Sequence, residues 1–308
     1  MVRPVVTIPG GPEHIKTNCN NMRKLLLLFM LFALLVPVSC EKEPTLEELY
    51  PEQNTQPGPG QIKVMSFNVR QKNDNDGAFN HWAVRAEACR MMIQIQKPDL
   101  LGLQEVHISQ WEYLEGVLPK EGYVGVGVID KKNSFFYRED KLEVERSGVF
   151  WLTKTPDIPS NASDGYERYI YWAAIKVLAT GQRFFFMNTH FALTGDARTL
   201  AINVIKQRLP LLNTDNLPVI FMGDFNTYST DKIFDYIKET MSSTRDIAPV
   251  TDDIKTYNAW GDEDRAYECD HIWISNTLSC PEYRTVTVPY DGHTYVSDHF
   301  PVYSIIQF

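Results

Sequence analysis

Cysteine is scarce in this chain. Its 308 residues hold five, Cys19, Cys40, Cys89, Cys269 and Cys280. They lack the spacing of a zinc site and are too few for a disulfide framework. Cys89, Cys269 and Cys280 are expected as buried free thiols, with a Cys269–Cys280 bridge as the alternative. Basic residues are also short, with 30 Lys and Arg against 39 Asp and Glu. Residues 1–40 carry four bases (Arg3, Lys16, Arg23, Lys24) and one acid (Glu13), so the remainder has 26 bases against 38 acids, a balance of −12. Such a surface repels polyanions, whose nonspecific binding needs clustered Lys and Arg. Stable nucleic-acid binding is therefore not expected. There is no internal repeat. The apolar run Leu25–Val36 is too short to cross a bilayer comfortably and has the length of an export signal.

That run follows Arg23-Lys24 and closes with Val38-Ser39-Cys40, then Glu41-Lys42-Glu43. This resembles a bacterial lipoprotein processing site with the lipid on Cys40, although Pro37 is unusual there. Ordinary cleavage near Ser39 is the alternative. Met22 stands directly before the basic pair, so residues 1–21 are read as lying upstream of the true start. The expected organisation is residues 1–39 as upstream residues and export signal, 40–61 as a Glu-, Pro-, Gln- and Gly-rich tether, and 62–308 as one domain. With 44% hydrophobic and 22% charged residues, the chain has enough apolar material for one large core.

The domain opens with Ile62–Arg70, which alternates Ile62, Val64, Ser66 and Asn68 on one face with Met65, Phe67 and Val69 on the other. That is a strand. A polar loop is expected over 71–80, then a helix over 81–96 stopped by Pro98. Leu100–Leu103 reads as a buried strand ending at Gln104-Glu105, Ile108–Leu118 as a helix and Tyr123–Ile129 as a strand. Further strands are expected over 133–137, 149–152 and 169–178, with a loop over 155–165. Arg168 enters the last of these, either as a phosphate clamp or in a surface ion pair. Strand 183–187 delivers Asn188-Thr189-His190, and Asp196 is expected to cap a helix over 197–209. Thr230 is expected to cap another over 231–240. Asp270 opens a strand, and Ser297-Asp298-His299 precedes the last, over 302–306.

The stretch Pro218–Asp231 organises the rest. Val219–Met222 is a continuous apolar run and reads as a strand buried on both faces. Gly223 then lets the backbone turn, and Asp224 and Asn226, two apart, project to the same side if the chain stays extended. A carboxylate beside an amide suits holding a water or a phosphate oxygen, and a plain Asx turn is the alternative. Glu105, after a buried strand, is costly to bury unpaired, and a bound cation would partner it. Asn68, Glu105, His190, Asp224, Asn226, Asp270, Asp298 and His299 all fall at or beside strand ends.

Taken in order, Phe-Asn-Val, Leu-Gln-Glu, Asn-Thr-His, Gly-Asp-Phe-Asn, Asp-His-Ile and Ser-Asp-His resemble the endonuclease/exonuclease/phosphatase superfamily from Ile62 to Phe308. The resemblance implies an α/β fold, a four-layer α/β/β/α sandwich in which two packed, mainly antiparallel sheets are flanked by helices. It implies Mg²⁺, with Mn²⁺ as a substitute, held by Glu105 with Asn68 and Asp298. By the same resemblance Asp224 orients or deprotonates the attacking water, Asn226 holds a phosphate oxygen, and His190 donates to the phosphate or leaving oxygen. His299 pairs with Asp270 and acts as base or as electrostatic clamp. Arg168, Asn226 and His190 would contact substrate.

Departures narrow the substrate. The stretch Thr227-Tyr228-Ser229-Thr230 lacks a further Asn found in apurinic/apyrimidinic endonucleases, and His190 stands where those have Tyr. The exposed aromatic hairpin of sphingomyelinases is not evident, with Phe135-Phe136 as the one candidate. The expectation is an exported, monomeric phosphoesterase, anchored to the membrane of the bacterial cell envelope through lipid and acting on a small phosphoester, a nucleotide or a lipid head group. A lipid-anchored binding protein without turnover is the alternative.

Overall fold

The computed structural model describes residues 55–127 and 132–308. The export signal, Cys40, most of the tether and the end of the strand expected to reach Ile129 lie outside them.

Two six-stranded sheets form the body. The first has the order β11-β12-β1-β2-β4-β3, from Ser279–Thr285, Val302–Gln307, Gln61–Asn68, Leu100–Gln104, Ser134–Arg138 and Tyr123–Val126. The second has the order β5-β6-β7-β8-β10-β9, from Leu142–Trp151, Tyr169–Val177, Arg183–His190, Val219–Asp224, Asp270–Ser275 and Met241–Ser243. Each sheet is antiparallel except for one parallel pair, β1 with β2 and β7 with β8.

Strand periodicity creates the layers. In β1, Met65 and Phe67 join the cluster beneath α1 (Trp82–Gln96) and α2 (Ile108–Val117), whereas Ile62 and Val64 join the cluster between the sheets. In β7, Phe184 and Phe186 face the sheet interface, while Phe185 and Met187 pack with Ile202 and Ile205 of α3 (Gly195–Leu212). Each buried ring contributes roughly 1.5–3 kcal/mol relative to exposure. The expected four-layer α/β/β/α sandwich is therefore the observed fold. Gly102 sits where the sheets approach, and a Cβ there would come within 2.7 Å of Met222 Cε.

Local expectations differ in places. The segment 71–80 is more than a loop, since Asp74–Asp76 form a 3-10 turn and Gly77–Asn80 a short helix. Thr194, not Asp196, is the N-cap of α3, and Asp196 lies in its first turn. Asp231, not Thr230, caps the next helical segment by accepting from the Ile233 amide, because its carboxylate sits two residues ahead of the donor. Phe135 and Phe136 are fully buried, so they form no exposed hairpin. Cys89, Cys269 and Cys280 are free and buried.

Candidate active site

Topology carries the polar residues to one edge. The parallel strands β1 and β2 end side by side, with Asn68 opposite Gln104 and Glu105 next in the chain. In the other sheet β7 and β8 end with His190 opposite Asp224. β10 is antiparallel to β8, so it starts where β8 ends and sets Asp270 opposite Asp224. β12 is antiparallel to β1 and brings Ser297-Asp298-His299 to the same place.

Asp224 is the junction. Its Oδ1 accepts the Asn226 backbone N–H at 2.9 Å, an Asx turn that leaves Oδ2 pointing inward. Oδ2 accepts from Asn68 Nδ2 at 3.0 Å and lies 3.4 Å from His190 Nε2 and 3.8 Å from His299 Nε2. Asn68 Nδ2 is also 3.2 Å from Glu105 Oε1. The Arg70 amide donates to Asn68 Oδ1. His299 Nδ1 is 2.8 Å from Asp270 Oδ2. Asp298 Oδ2 lies 3.7 Å from Arg70 Nε. All eight expected residues thus converge, and most line or underlie a cavity of about 390 Å³.

Backbone conformation matters at two points. Gly223 has φ of 153°, and a Cβ there would lie 2.1 Å from the Thr189 carbonyl oxygen, so no other residue fits. Its role is close strand approach, not the expected turn. Asn226 lies in left-handed backbone at φ of 52°, so it does not follow Asp224 in extended geometry. Its Nδ2 donates to the Phe191 carbonyl at 2.8 Å, and its Oδ1 accepts from the Tyr267 hydroxyl at 3.4 Å. It nevertheless lines the cavity. Arg168 lines it too, but its Nε and Nη2 both donate to Asp164 Oδ2, at 3.1 and 2.9 Å. The ion pair is buried, not on the surface.

The two imidazoles are driven apart. Burial pushes His190 down to about 3, only partly offset by the Asp224 carboxylate. Burial also opposes charge on His299, but Asp270 and then Asp224 outweigh it and raise the ring to about 10. One ring is therefore neutral and the other charged at neutral pH, the separation expected where groups divide acid and base work. Burial raises the Asp298 carboxyl, and Glu105 adds to this through repulsion.

This crowding of carboxylates suits a hard cation. Donor atoms of Glu105, His190 and Asp224 lie within 4.8 Å of one another. Asp224, Cys269 and His299 do likewise, but burial holds the Cys269 thiol well above its ordinary value and keeps it protonated, a poor ligand.

Several supporting residues escaped the sequence reading. Arg85 is fully buried and donates to the carbonyls of Val69, Arg70 and Val296, at 2.6, 2.6 and 3.0 Å. It thereby ties the end of β1 to the segment before Asp298, and the Ser297 hydroxyl adds a bond to the Asn68 carbonyl at 2.7 Å. A signal existed, since Arg85 lies on the Trp82, Ala86, Cys89 stripe of α1, where a cation needs partners. Beneath the site Gln104 Nε2 donates to Asn188 Oδ1 at 2.7 Å, and Asn188 Nδ2 donates to the Leu103 carbonyl at 2.9 Å. These bonds link one sheet to the other.

Residues 65–299 match the model of the Endonuclease/Exonuclease/phosphatase family. A Bacteroides thetaiotaomicron protein of this family has a structure that superposes with a TM-score of 0.71 at 29% identity, covering 82% of this chain and 98% of its own. A Bacteroides vulgatus endonuclease/exonuclease/phosphatase gives 0.71 at 27% identity, over 80% and 99%. A mannosyl-6-phosphatase of Bacteroides thetaiotaomicron gives 0.69 at 28%, over 80% and 100%. No curated protein matches the chain. Fold, family match and the edge cluster agree, and the chain belongs to the Endonuclease/Exonuclease/phosphatase family of phosphoester hydrolases.

Proposed function

We propose that the chain is an exported, Mg²⁺-dependent phosphoesterase that hydrolyses a small phosphate mono- or diester by in-line attack of an activated water. The observation that carries this reading is the geometry at Asp224. One oxygen is tied to the Asn226 amide, while the other meets Asn68 and faces two imidazoles of opposite protonation. Glu105, with Asn68 and Asp298, would hold Mg²⁺ or Mn²⁺, which offsets charge on the phosphoryl oxygens when bound. Asp224 takes the proton of the attacking water, its Oδ2 held in place by the Asn68 amide. Charged His299, oriented by Asp270 through Nδ1, presents Nε2 to a phosphoryl oxygen as a clamp. Neutral His190 donates one hydrogen bond, and the second hydrogen of Asn226 Nδ2, whose first goes to the Phe191 carbonyl, steadies the phosphate. Catalysis of this kind comes from positioning and from preset charge.

Both the 28% identical mannosyl-6-phosphatase and the acidic balance of the domain support a small phosphomonoester over a nucleic acid. The test is a panel of phosphate mono- and diesters assayed with Mg²⁺, Mn²⁺ or EDTA. Hydrolysis of none of them would leave the binding-protein reading standing. EDTA is expected to abolish turnover and added Mg²⁺ to restore it. Glu105→Gln is expected to raise the half-saturating Mg²⁺ concentration by at least about tenfold, and hydrolysis undiminished in EDTA would sink metal dependence.

The proposal includes lipid anchoring at Cys40, on the strength of the apolar run and the small residues before it. Cys40→Ser is expected to move the protein from the membrane fraction to a soluble exported fraction. A wild-type protein already soluble after export would remove this part of the reading.

A further inference from the structure

The cavity extends past the catalytic residues to a wall that the reaction does not use. Asn133, Tyr166, Glu167, Arg168 and Leu193 form it. Three basic residues line the cavity as a whole, Arg70, Lys132 and Arg168. Arg70 is committed to Asp76 at 2.7 Å and Arg168 to Asp164 at 2.9 Å. Facing them are four carboxylates, Glu105, Glu167, Asp224 and Asp298. A wall so balanced has little charge left for a second phosphate or a polynucleotide backbone.

The remaining groups have a different chemistry. Among the described residues Glu167 makes no side-chain hydrogen bond or ion pair. Asn133 is 2% exposed, and its Oδ1 has no partner, a costly arrangement unless a ligand supplies a donor. Its Nδ2 is used by the Tyr169 carbonyl at 3.3 Å, so Oδ1 stays an acceptor. Tyr166 and Leu193 are exposed by 58% and 62% although both border the cavity. The Arg168 guanidinium, 5.4 Å from the Tyr166 ring centroid, helps orient that ring. The wall therefore offers two acceptors, one aromatic face and one aliphatic side chain. Its occupant should donate hydrogen bonds, present a C–H face and carry no further charge. The volume, near the small end of ligand pockets, suits one ring.

We propose that this wall binds the alcohol half of the ester and selects a neutral, polyhydroxylated ring, a monosaccharide or cyclitol monophosphate. The Glu167 carboxylate accepts from adjacent ring hydroxyls, and a C–H face of the ring packs on Tyr166. The proposal rests on the phosphoesterase reading and deepens it by naming the leaving group.

Phosphate release from glucose 6-phosphate, mannose 6-phosphate, glucose 1,6-bisphosphate and ethyl phosphate tests it. The wild type is expected to favour at least one hexose 6-phosphate over both ethyl phosphate and the bisphosphate by at least about tenfold in kcat/KM, the value of one to two charge-assisted hydrogen bonds. In Glu167→Gln and Tyr166→Ala the ratio of hexose 6-phosphate to ethyl phosphate in kcat/KM should fall by about tenfold, mainly through KM. A ratio unmoved in both variants, or a bisphosphate used as well as the monophosphates, overturns the proposal. Turnover of ethyl phosphate without any preference for the hexose esters overturns it while leaving the phosphoesterase reading intact. Turnover of none of the esters removes that reading and the proposal with it.

Discussion

Asp224→Asn is expected to lower kcat by roughly 10²–10⁴-fold, the range typical of a lost general base, with KM nearly unchanged. The substitution keeps the shape of the side chain and its Oδ1 bond to the Asn226 amide, but it removes the charge and the basicity. A residue that acts only in the transition state shows itself in kcat and kcat/KM together. The measurement is steady-state kinetics on the best ester of the panel, with Mg²⁺ saturating for both proteins. Near-normal kcat would leave the water without its proposed base.

A second large effect is expected at His299. His299→Ala should lose roughly 10²–10⁴-fold in kcat, and Asp270→Asn should move the pH profile. The direction follows from linkage. The folded value of about 10 lies above the ordinary 6.5, so the charged ring and the stability it contributes are fully present below 6.5. Both are lost as pH rises through about 10. A clamp that must be charged therefore sets an alkaline limb near that pH. Asp270 is the largest of the groups that raise His299 against burial, and its Oδ2 is only 2.8 Å from Nδ1. Without that charge, burial prevails, and the alkaline limb should shift down by roughly 1–3 units. Profiles of kcat against pH for wild type and Asp270→Asn decide the matter, since an unmoved limb would rule out the pairing as the source of the charge.

Much of this site is legible in the sequence. Apolar runs that stop at a carboxylate or amide, as Val219–Met222 does before Asp224, mark strand ends that face a cavity. Period-2 alternation correctly divided Ile62 and Val64 from Met65 and Phe67 between two layers. The errors lie where local preference is nearly degenerate. Thr194 and Asp196, or Thr230 and Asp231, are all acceptable caps, and only the path of the preceding chain chooses between them. The extended geometry assumed for Asn226 failed because Asn tolerates left-handed backbone, where its Nδ2 donates to the Phe191 carbonyl and its Oδ1 accepts from the Tyr267 hydroxyl.

By itself the sequence determined the alternation of the strands, the polar residue at the end of each, and Gly223, whose missing Cβ is a property of the residue alone. The tertiary structure decided which ends meet. Register in the two parallel pairs sets Asn68 beside Gln104 and His190 beside Asp224. Sheet packing then lays Asn68 against Asp224 across 156 residues of chain. The electrostatics follow the same division. Composition and spacing alone do not tell His190 from His299, and only the family resemblance sets Asp270 beside His299. What separates them is the additional carboxylate of Asp270 at hydrogen-bond distance from one ring, a contact between residues 29 apart that exists only once the start of β10 in one sheet meets the segment before β12 in the other.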